Sequence, residues 1–230
     1  SDIRLAQKFN SAFLYKPDGS QSPQKYSKIY LVPFGEILPF SNIPLVHKLF
    51  LKMSPYDFDY TIDPGTNYTV FEMQPADTNS KYRFSVMICY EDAVPYMARK
   101  FTLDEKGNKQ IDWLVNISND GWFVRFENGK VLPATELSQH AAICAFRAVE
   151  NRLAVLRSVN TGISCMVDTL GRIKDGYAAG NLPQKAFDRQ GVVGWFADTI
   201  PIDARTTFFS KHGQWLDFAC QLSIVVIIIA

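Results

Sequence analysis

Reactive and ligating side chains are scarce in this sequence: of 230 residues, three are histidine and four are cysteine. Cys89, Cys144, Cys165 and Cys220 form no Cys-x-x-Cys pair, and no histidine stands at a spacing suited to zinc. Neither a structural metal nor a redox dithiol is expected, and no cofactor is implied. A disulfide framework is not expected either, because a chain of this length with 47% hydrophobic residues can bury a core without one. Neither sign of charge is in excess: 24 Lys and Arg against 23 Asp and Glu leave +1, no footprint for a nucleic-acid partner. Repeats and low-complexity tracts are missing. The first residues show no charged region leading into an apolar stretch, so no signal peptide is visible.

What is abundant is aromatic and aliphatic. Residues 84–88, Phe84-Ser85-Val86-Met87-Ile88, make a short apolar run that stops at Cys89-Tyr90-Glu91-Asp92, with Pro95 placed to open a helix. That pattern predicts a buried strand ending in a sharp strand-to-helix turn, which makes Cys89 a candidate nucleophile. The alternative is a cysteine serving as a small core hydrophobe. Upstream, residues 10–15, the turn Pro17-Asp18-Gly19-Ser20 and residues 24–32 read as strand, turn, strand, with Lys28 near the end of the second strand and a Pro33-Phe34-Gly35-Glu36 break after it. Residues 37–60 are long, apolar and without a clear period; they read as a lid or membrane-dipping loop, or as an irregular helix packed on the core.

Downstream, strands are expected at 68–73, 112–118, 154–159, 163–168 and 192–197, and helices at 96–103 and from Pro133 to about residue 152. The second helix carries a stripe of small side chains, Leu137, Ala141, Cys144, Ala145 and Ala148, suited to close packing on a sheet. His140 lies one position off that stripe and reads as a structural residue. Cys144 and Cys165 read as core, Cys220 as lipid-facing or helix-packing. Strands interleaved with helices predict an α/β fold with a mixed sheet. Residues 215–230 are almost wholly apolar, follow Lys211, His212 and Trp215, and are shorter than the ~20 residues a bilayer span needs. They are expected to be the first part of a transmembrane helix, a buried core helix being the alternative; Asp217 and Gln221, four apart, share one face of it.

Cysteine chemistry on an acyl group needs a nucleophile, a proton carrier and support for an oxyanion. His47, His140 and His212 all sit in unpromising contexts, so a lysine and a carboxylate are expected to do that work, Lys28 and Glu36. The order and spacing of these residues carry a resemblance. Tyr26-Ser27-Lys28, Leu31-Val32-Pro33-Phe34-Gly35-Glu36, Ile88-Cys89-Tyr90-Glu91, Ser118-Asn119-Asp120-Gly121-Trp122-Phe123 and Arg157-Ser158-Val159-Asn160-Thr161-Gly162-Ile163 resemble the nitrilase-type domain of bacterial apolipoprotein N-acyltransferases. Residues 205–215, with Arg205, Phe208, Phe209, Gly213 and Trp215, resemble the segment leading into that family's last membrane helix.

The resemblance implies a four-layer αββα sandwich over residues 1–207, followed at 208–230 by the start of a C-terminal transmembrane helix. It implies that Cys89 takes an acyl chain from a phospholipid as a thioester. Lys28 would stabilise the oxyanion, Glu36 would be the second glutamate of the site, and Tyr90, Glu91 and Phe123 would support it. The acceptor would be the amine of the diacylglyceryl-cysteine of an apolipoprotein. The place would be the bacterial inner (cytoplasmic) membrane, with the catalytic domain on its periplasmic side. The family's first glutamate, the general base in a Pro-Glu motif, has no counterpart in these residues, so the 230-residue piece alone is expected to be inactive. Two other readings remain: a soluble carbon-nitrogen hydrolase cleaving a small amide with the same Cys, Lys and Glu, and a non-catalytic remnant.

Overall fold

In the computed structural model, which describes residues 7–40, 43–53, 59–75, 78–132 and 134–229, the chain opens with an antiparallel hairpin, β1 (Ser11–Tyr15) and β2 (Gln21–Ser27). Its turn closes because Asp18 accepts from the backbone N–H of Ser20 at 2.8 Å and Gly19 adopts φ +80°, an angle that glycine tolerates. A helix α1 (Pro44–Met53) follows, then β3 (Phe71–Met73), β4 (Tyr82–Ile88), α2 (Pro95–Thr102) and β5 (Trp113–Ser118). A small hairpin, β6 (Arg125–Glu127) and β7 (Lys130–Leu132), precedes the long helix α3 (Thr135–Asn151). After it come β8 (Ala154–Val159), β9 (Cys165–Val167), β10 (Ile173–Lys174), β11 (Tyr177–Gly180), β12 (Gly194–Ala197), the short helix α4 (Phe208–His212) and α5 (Trp215–Ile229).

One six-stranded mixed sheet, in the order β10-β9-β8-β5-β4-β3, holds the core. Its middle strands β4, β5 and β8 run parallel, and their near-continuous apolar sequences are what strands covered on both faces require. Register across β3, β4 and β5 is marked by three rings directly opposite one another: Phe71 stacks on Phe84 at 5.3 Å and Phe84 on Trp113 at 5.5 Å. Such pairs contribute about 0.5–1.5 kcal/mol each beyond their buried area. Helices α2 and α3 lie against each other and on the sheet. The face of α3 turned inward is the expected stripe, with Leu137, Ala141, Cys144 and Ala148 buried. Tyr26 of β2 is fully buried and meets Phe101 of α2 edge-on at 5.8 Å.

The expected mixed α/β sheet is therefore present, while the expected four layers are not laid out by the described residues. A sandwich needs a second sheet of comparable size; β1 and β2 pair only with each other, as do β6 with β7 and β11 with β12. Lys28, expected inside the end of a strand, lies just past β2. Pro133, expected to open the long helix, lies outside the described residues, as do 41–42 and 54–58 of the apolar segment. The rest of that segment contains α1, so it is not loop throughout, and Leu45 and Leu49, 79% and 56% exposed, are not packed on the core. No described helix is long and apolar enough to cross a membrane. The C-terminal helix α5 runs for 15 residues with none of its side chains buried.

Candidate active site

Sites on open α/β sheets form at the carboxyl ends of parallel strands, where backbone groups leave the ladder and side chains can converge. Three such ends lie side by side here. β4 runs into Cys89, β5 into Asn119 and Asp120, and β8 into Asn160. Asn160 ties two of them together, accepting from the N–H of Asp120 at 3.0 Å and donating to Asn119 Oδ1 at 2.6 Å.

Cys89 sits at φ +53°, in the left-handed region. A non-glycine residue there carries strain of order 1–3 kcal/mol, and that strain is retained only where the surroundings impose it. They do so from both sides. Asn116 of β5 donates to the carbonyls of Met87 and Cys89, both at 3.4 Å, and residues Cys89–Ala93 coil at once into a tight 3-10 turn before Pro95 opens α2. The thiol is partly exposed, whereas Cys144 and Cys165 are buried.

Glu91 is what binds this turn to the lysine segment. It is wholly buried, and its Oε1 accepts from Tyr26 Oη at 2.6 Å, the Ile29 N–H at 2.7 Å and the Tyr30 N–H at 3.1 Å, while Oε2 accepts from the Ile88 N–H at 2.7 Å. Burial raises its pKa above the ordinary glutamate value despite these donors. Burial, followed by the neighbouring Glu91 charge, likewise raises the pKa of Tyr26.

Lys28 and Glu36 meet directly. Lys28 Nζ lies 2.6 Å from Glu36 Oε2, with the lysine side chain fully buried and the glutamate 18% exposed. The same oxygen accepts the Val32 N–H at 2.9 Å, and Oε1 takes a long contact from Asn10 Nδ2 at 3.4 Å. The Pro33-Phe34-Gly35-Glu36 break is a tight loop closed on the Val32 carbonyl, which accepts from the N–H groups of Gly35, Glu36 and Ile37. Phe34 pays for this fold with φ +62° and stands outward, its ring edge-on to Phe50 of α1 at 5.7 Å.

A cleft of about 350 Å³ joins these parts. Its lining includes Val32, Gly35, Glu36, Cys89, Tyr90, Trp122, Phe123, His140 and Ile143. Of the residues expected from sequence, Glu36, Cys89, Tyr90 and Phe123 thus line one cavity; Lys28 and Glu91 are buried and are not part of its lining. Sequence reasoning missed a second layer: His140 lies between Asp92 and Asp120, and Arg157 Nη1 and Nη2 reach Asp92 Oδ2 at 3.2 Å and Asp120 Oδ2 at 2.7 Å. Arg157 also donates to Asn116 Oδ1. The available signal was an arginine in the middle of the apolar strand 154–159, since a buried charge needs buried partners.

Residues 3–185 match the carbon-nitrogen hydrolase family model. The chain is 32% identical over 219 residues to apolipoprotein N-acyltransferase 2 of Treponema denticola, covering 95% of this chain and 37% of that protein. It is 29% identical over 219 residues to apolipoprotein N-acyltransferase of Geobacter metallireducens, covering 95% and 35%. With that of Rickettsia prowazekii it shares 34% over 214 residues, covering 89% and 34%. The chain thus spans about a third of the length of these relatives. Matched over residues 3–185 by that family model, with a mixed-sheet α/β fold, this chain belongs to the carbon-nitrogen hydrolase family.

Proposed function

We propose that this chain carries the catalytic site of an N-acyltransferase of lipoprotein maturation. The observation that carries the reading is the pairing of a strained, partly exposed Cys89 with an apolar cleft large enough for part of an acyl chain. Carbon-nitrogen hydrolase chemistry on a small amide needs the cysteine but not the apolar wall of Val32, Trp122, Phe123 and Ile143.

In this reading Cys89 Sγ attacks the ester carbonyl of a phospholipid. The S–C bond forms, the ester C–O bond breaks, and the thiol proton ends on the departing lysophospholipid hydroxyl, carried by a carboxylate base that the whole protein supplies, Glu36 being committed to Lys28. The Lys28 ammonium supports the developing oxyanion. Glu36 already accepts from Lys28 and Val32, so its part is to hold the lysine in place. The amine of a diacylglyceryl-cysteine then attacks the thioester carbonyl, the C–N amide bond forms, the C–S bond breaks, and the proton lost by the amine returns to the Cys89 sulfur. Tyr90 and Phe123 border the acyl path, and Glu91 fixes the nucleophile turn. In the whole protein β1 and β2 belong to the second sheet of an αββα sandwich over residues 1–207. Residues 208–230 begin a membrane segment, and the site faces the periplasmic side of the inner membrane.

The test is the intact mass of the full-length protein after incubation with phosphatidylethanolamine, beside Cys89→Ser. A gain of one acyl chain that hydroxylamine removes, absent from Cys89→Ser, is the expected result. Bound phospholipid with no adduct in either protein overturns the reading and favours amide hydrolysis.

A further inference from the structure

One group of buried charges outside the Cys-Lys-Glu set reaches the same cleft. His140, on α3, has a side chain only 10% exposed, and each ring nitrogen faces a fully buried carboxylate: Nε2 lies 3.0 Å from Asp92 Oδ1 and Nδ1 lies 3.1 Å from Asp120 Oδ1. Asp92 belongs to the turn that bears Cys89, and Asp120 opens the turn that bears Trp122 and Phe123. A neutral imidazole has a single N–H and would leave one carboxylate facing a lone pair, whereas an imidazolium donates to both. Charge balance agrees, since Arg157 and a protonated His140 offset Asp92 and Asp120.

Several other polar groups around His140 are already engaged. The Cys144 thiol donates to Asp92 Oδ2 at 3.3 Å, and Ser118 donates to Asp120 Oδ1 at 2.7 Å. Arg147 donates to the Asp92 carbonyl and pairs with Glu150. Glu136 and Glu36 line the cleft that His140 borders, and there the His140 ring meets Phe123 edge-on at 6.1 Å.

We propose that His140 is a positioning residue whose imidazolium fastens the nucleophile turn to the aromatic turn, so that its deprotonation loosens Cys89 from the wall along which the acyl chain lies. The reaction it serves is the acyl transfer proposed above, and the inference rests on that reading for its substrate alone. Burial draws the His140 pKa down, but the hydrogen bonds that it donates to Asp120 and Asp92 more than reverse this and raise it to about 9. The fastening therefore holds at neutral pH and opens in alkali.

The experiment uses full-length protein in detergent, wild type and His140→Gln, from about pH 6 to about pH 10, a range that brackets the titration of a raised histidine. Two rates are followed: iodoacetamide alkylation of the Cys89 peptide by mass spectrometry, and adduct formation from phosphatidylethanolamine. At neutral pH the variant is expected to form the adduct roughly ten- to a hundredfold more slowly, the scale of a small misplacement of reacting groups, and to show a different alkylation rate. Both differences close above about pH 9. A folded variant with both wild-type profiles overturns the proposal. So does a wild-type His140 that titrates, by histidine NMR, at or below the range of a free histidine, a result that needs no variant. No adduct in either protein, with the alkylation profiles still different, overturns the acyl-transfer reading and supports the fastening.

Discussion

At the scale of single residues, the Lys28 and Glu36 pair is asymmetric, and the asymmetry is testable. Removing Glu36 leaves an ammonium fully buried; removing Lys28 leaves a carboxylate that still reaches solvent and keeps the Val32 N–H. Breaking a buried pair from the side that strands the more buried charge costs about 3–5 kcal/mol. Glu36→Gln is therefore expected to lower the denaturation midpoint more than Lys28→Met, although both abolish acylation; the reverse order in urea unfolding would contradict the geometry. His140 gives a pH dependence with a definite sign. Its folded pKa lies above the ordinary 6.5, at about 9, so its contribution is complete below pH 6.5 and is lost as pH rises through about 9. At 1.36 kcal/mol per unit this amounts to at most about 3 kcal/mol, read as the difference in unfolding free energy between wild type and His140→Gln at neutral and at alkaline pH. Lys28, Glu36 and Cys89 stand out in the sequence because each lies at the end of a strand or a turn; the structure adds the Lys28–Glu36 contact and the cleft that Glu36 shares with Cys89, and their catalytic roles stay with the proposal. His140 reads as a structural residue, as its bonds to two carboxylates bear out, but its partners were not legible, because Asp92 and Asp120 lie 48 and 20 residues away along the chain.

At the scale of elements, the site exists because three parallel strands end at the same level and their loops are locked to one another. The lock is tight at Gly162: a Cβ there would stand 2.1 Å from Asp120 Oδ2 and 3.1 Å from Asp120 Cβ. Asp120 cannot yield freely, being held by Arg157, His140 and Ser118. Those contacts hold its carboxyl below the usual range even though burial pulls it up. Gly162→Ala is expected to destabilise the protein by about 1–3 kcal/mol, the usual cost of overpacking. It should also make Cys89 alkylation resemble that of His140→Gln, because it disturbs the same aspartate. Wild-type stability together with wild-type alkylation would show that the loops are not coupled. The strands themselves were plain from sequence, since residues 84–88 and 112–118 are short apolar runs bounded by polar turns. Their order in the sheet was not, because the pairing of β5 with β8 across α3 is a tertiary choice that local pattern does not contain. The narrowing of β9 to Cys165–Val167 has the same origin: residues 163–164 are taken by the turn in which Ser164 Oγ bonds the N–H and carbonyl of Val159.

At the scale of the whole molecule, apolar surface is left uncovered beside the cleft. Leu45 and Leu49, one helical turn apart on α1, are both exposed, and Phe34, also exposed, joins α1 to the loop that carries Glu36. Lys48 and Lys52 lie on the same helix. An exposed apolar pair flanked by lysines suits the boundary between lipid head groups and acyl chains. Under the proposed function α1 would be the element through which a phospholipid in a bilayer is approached, a role that separates two steps that activity alone merges. If α1 serves access to the bilayer, replacing Leu45 and Leu49 together by Glu should slow Cys89 acylation from phosphatidylethanolamine vesicles by about tenfold or more, since each leucine contributes up to about 1.5–3 kcal/mol when it leaves water. The same double variant should acylate at the wild-type rate from a short-chain donor dissolved in buffer, and its melting temperature should not move, because neither side chain is part of the core. Equal slowing with both donors would place α1 in the assembly of the Glu36 loop, acting through Phe34 and Phe50. Equal rates with both would leave α1 without a part in the reaction.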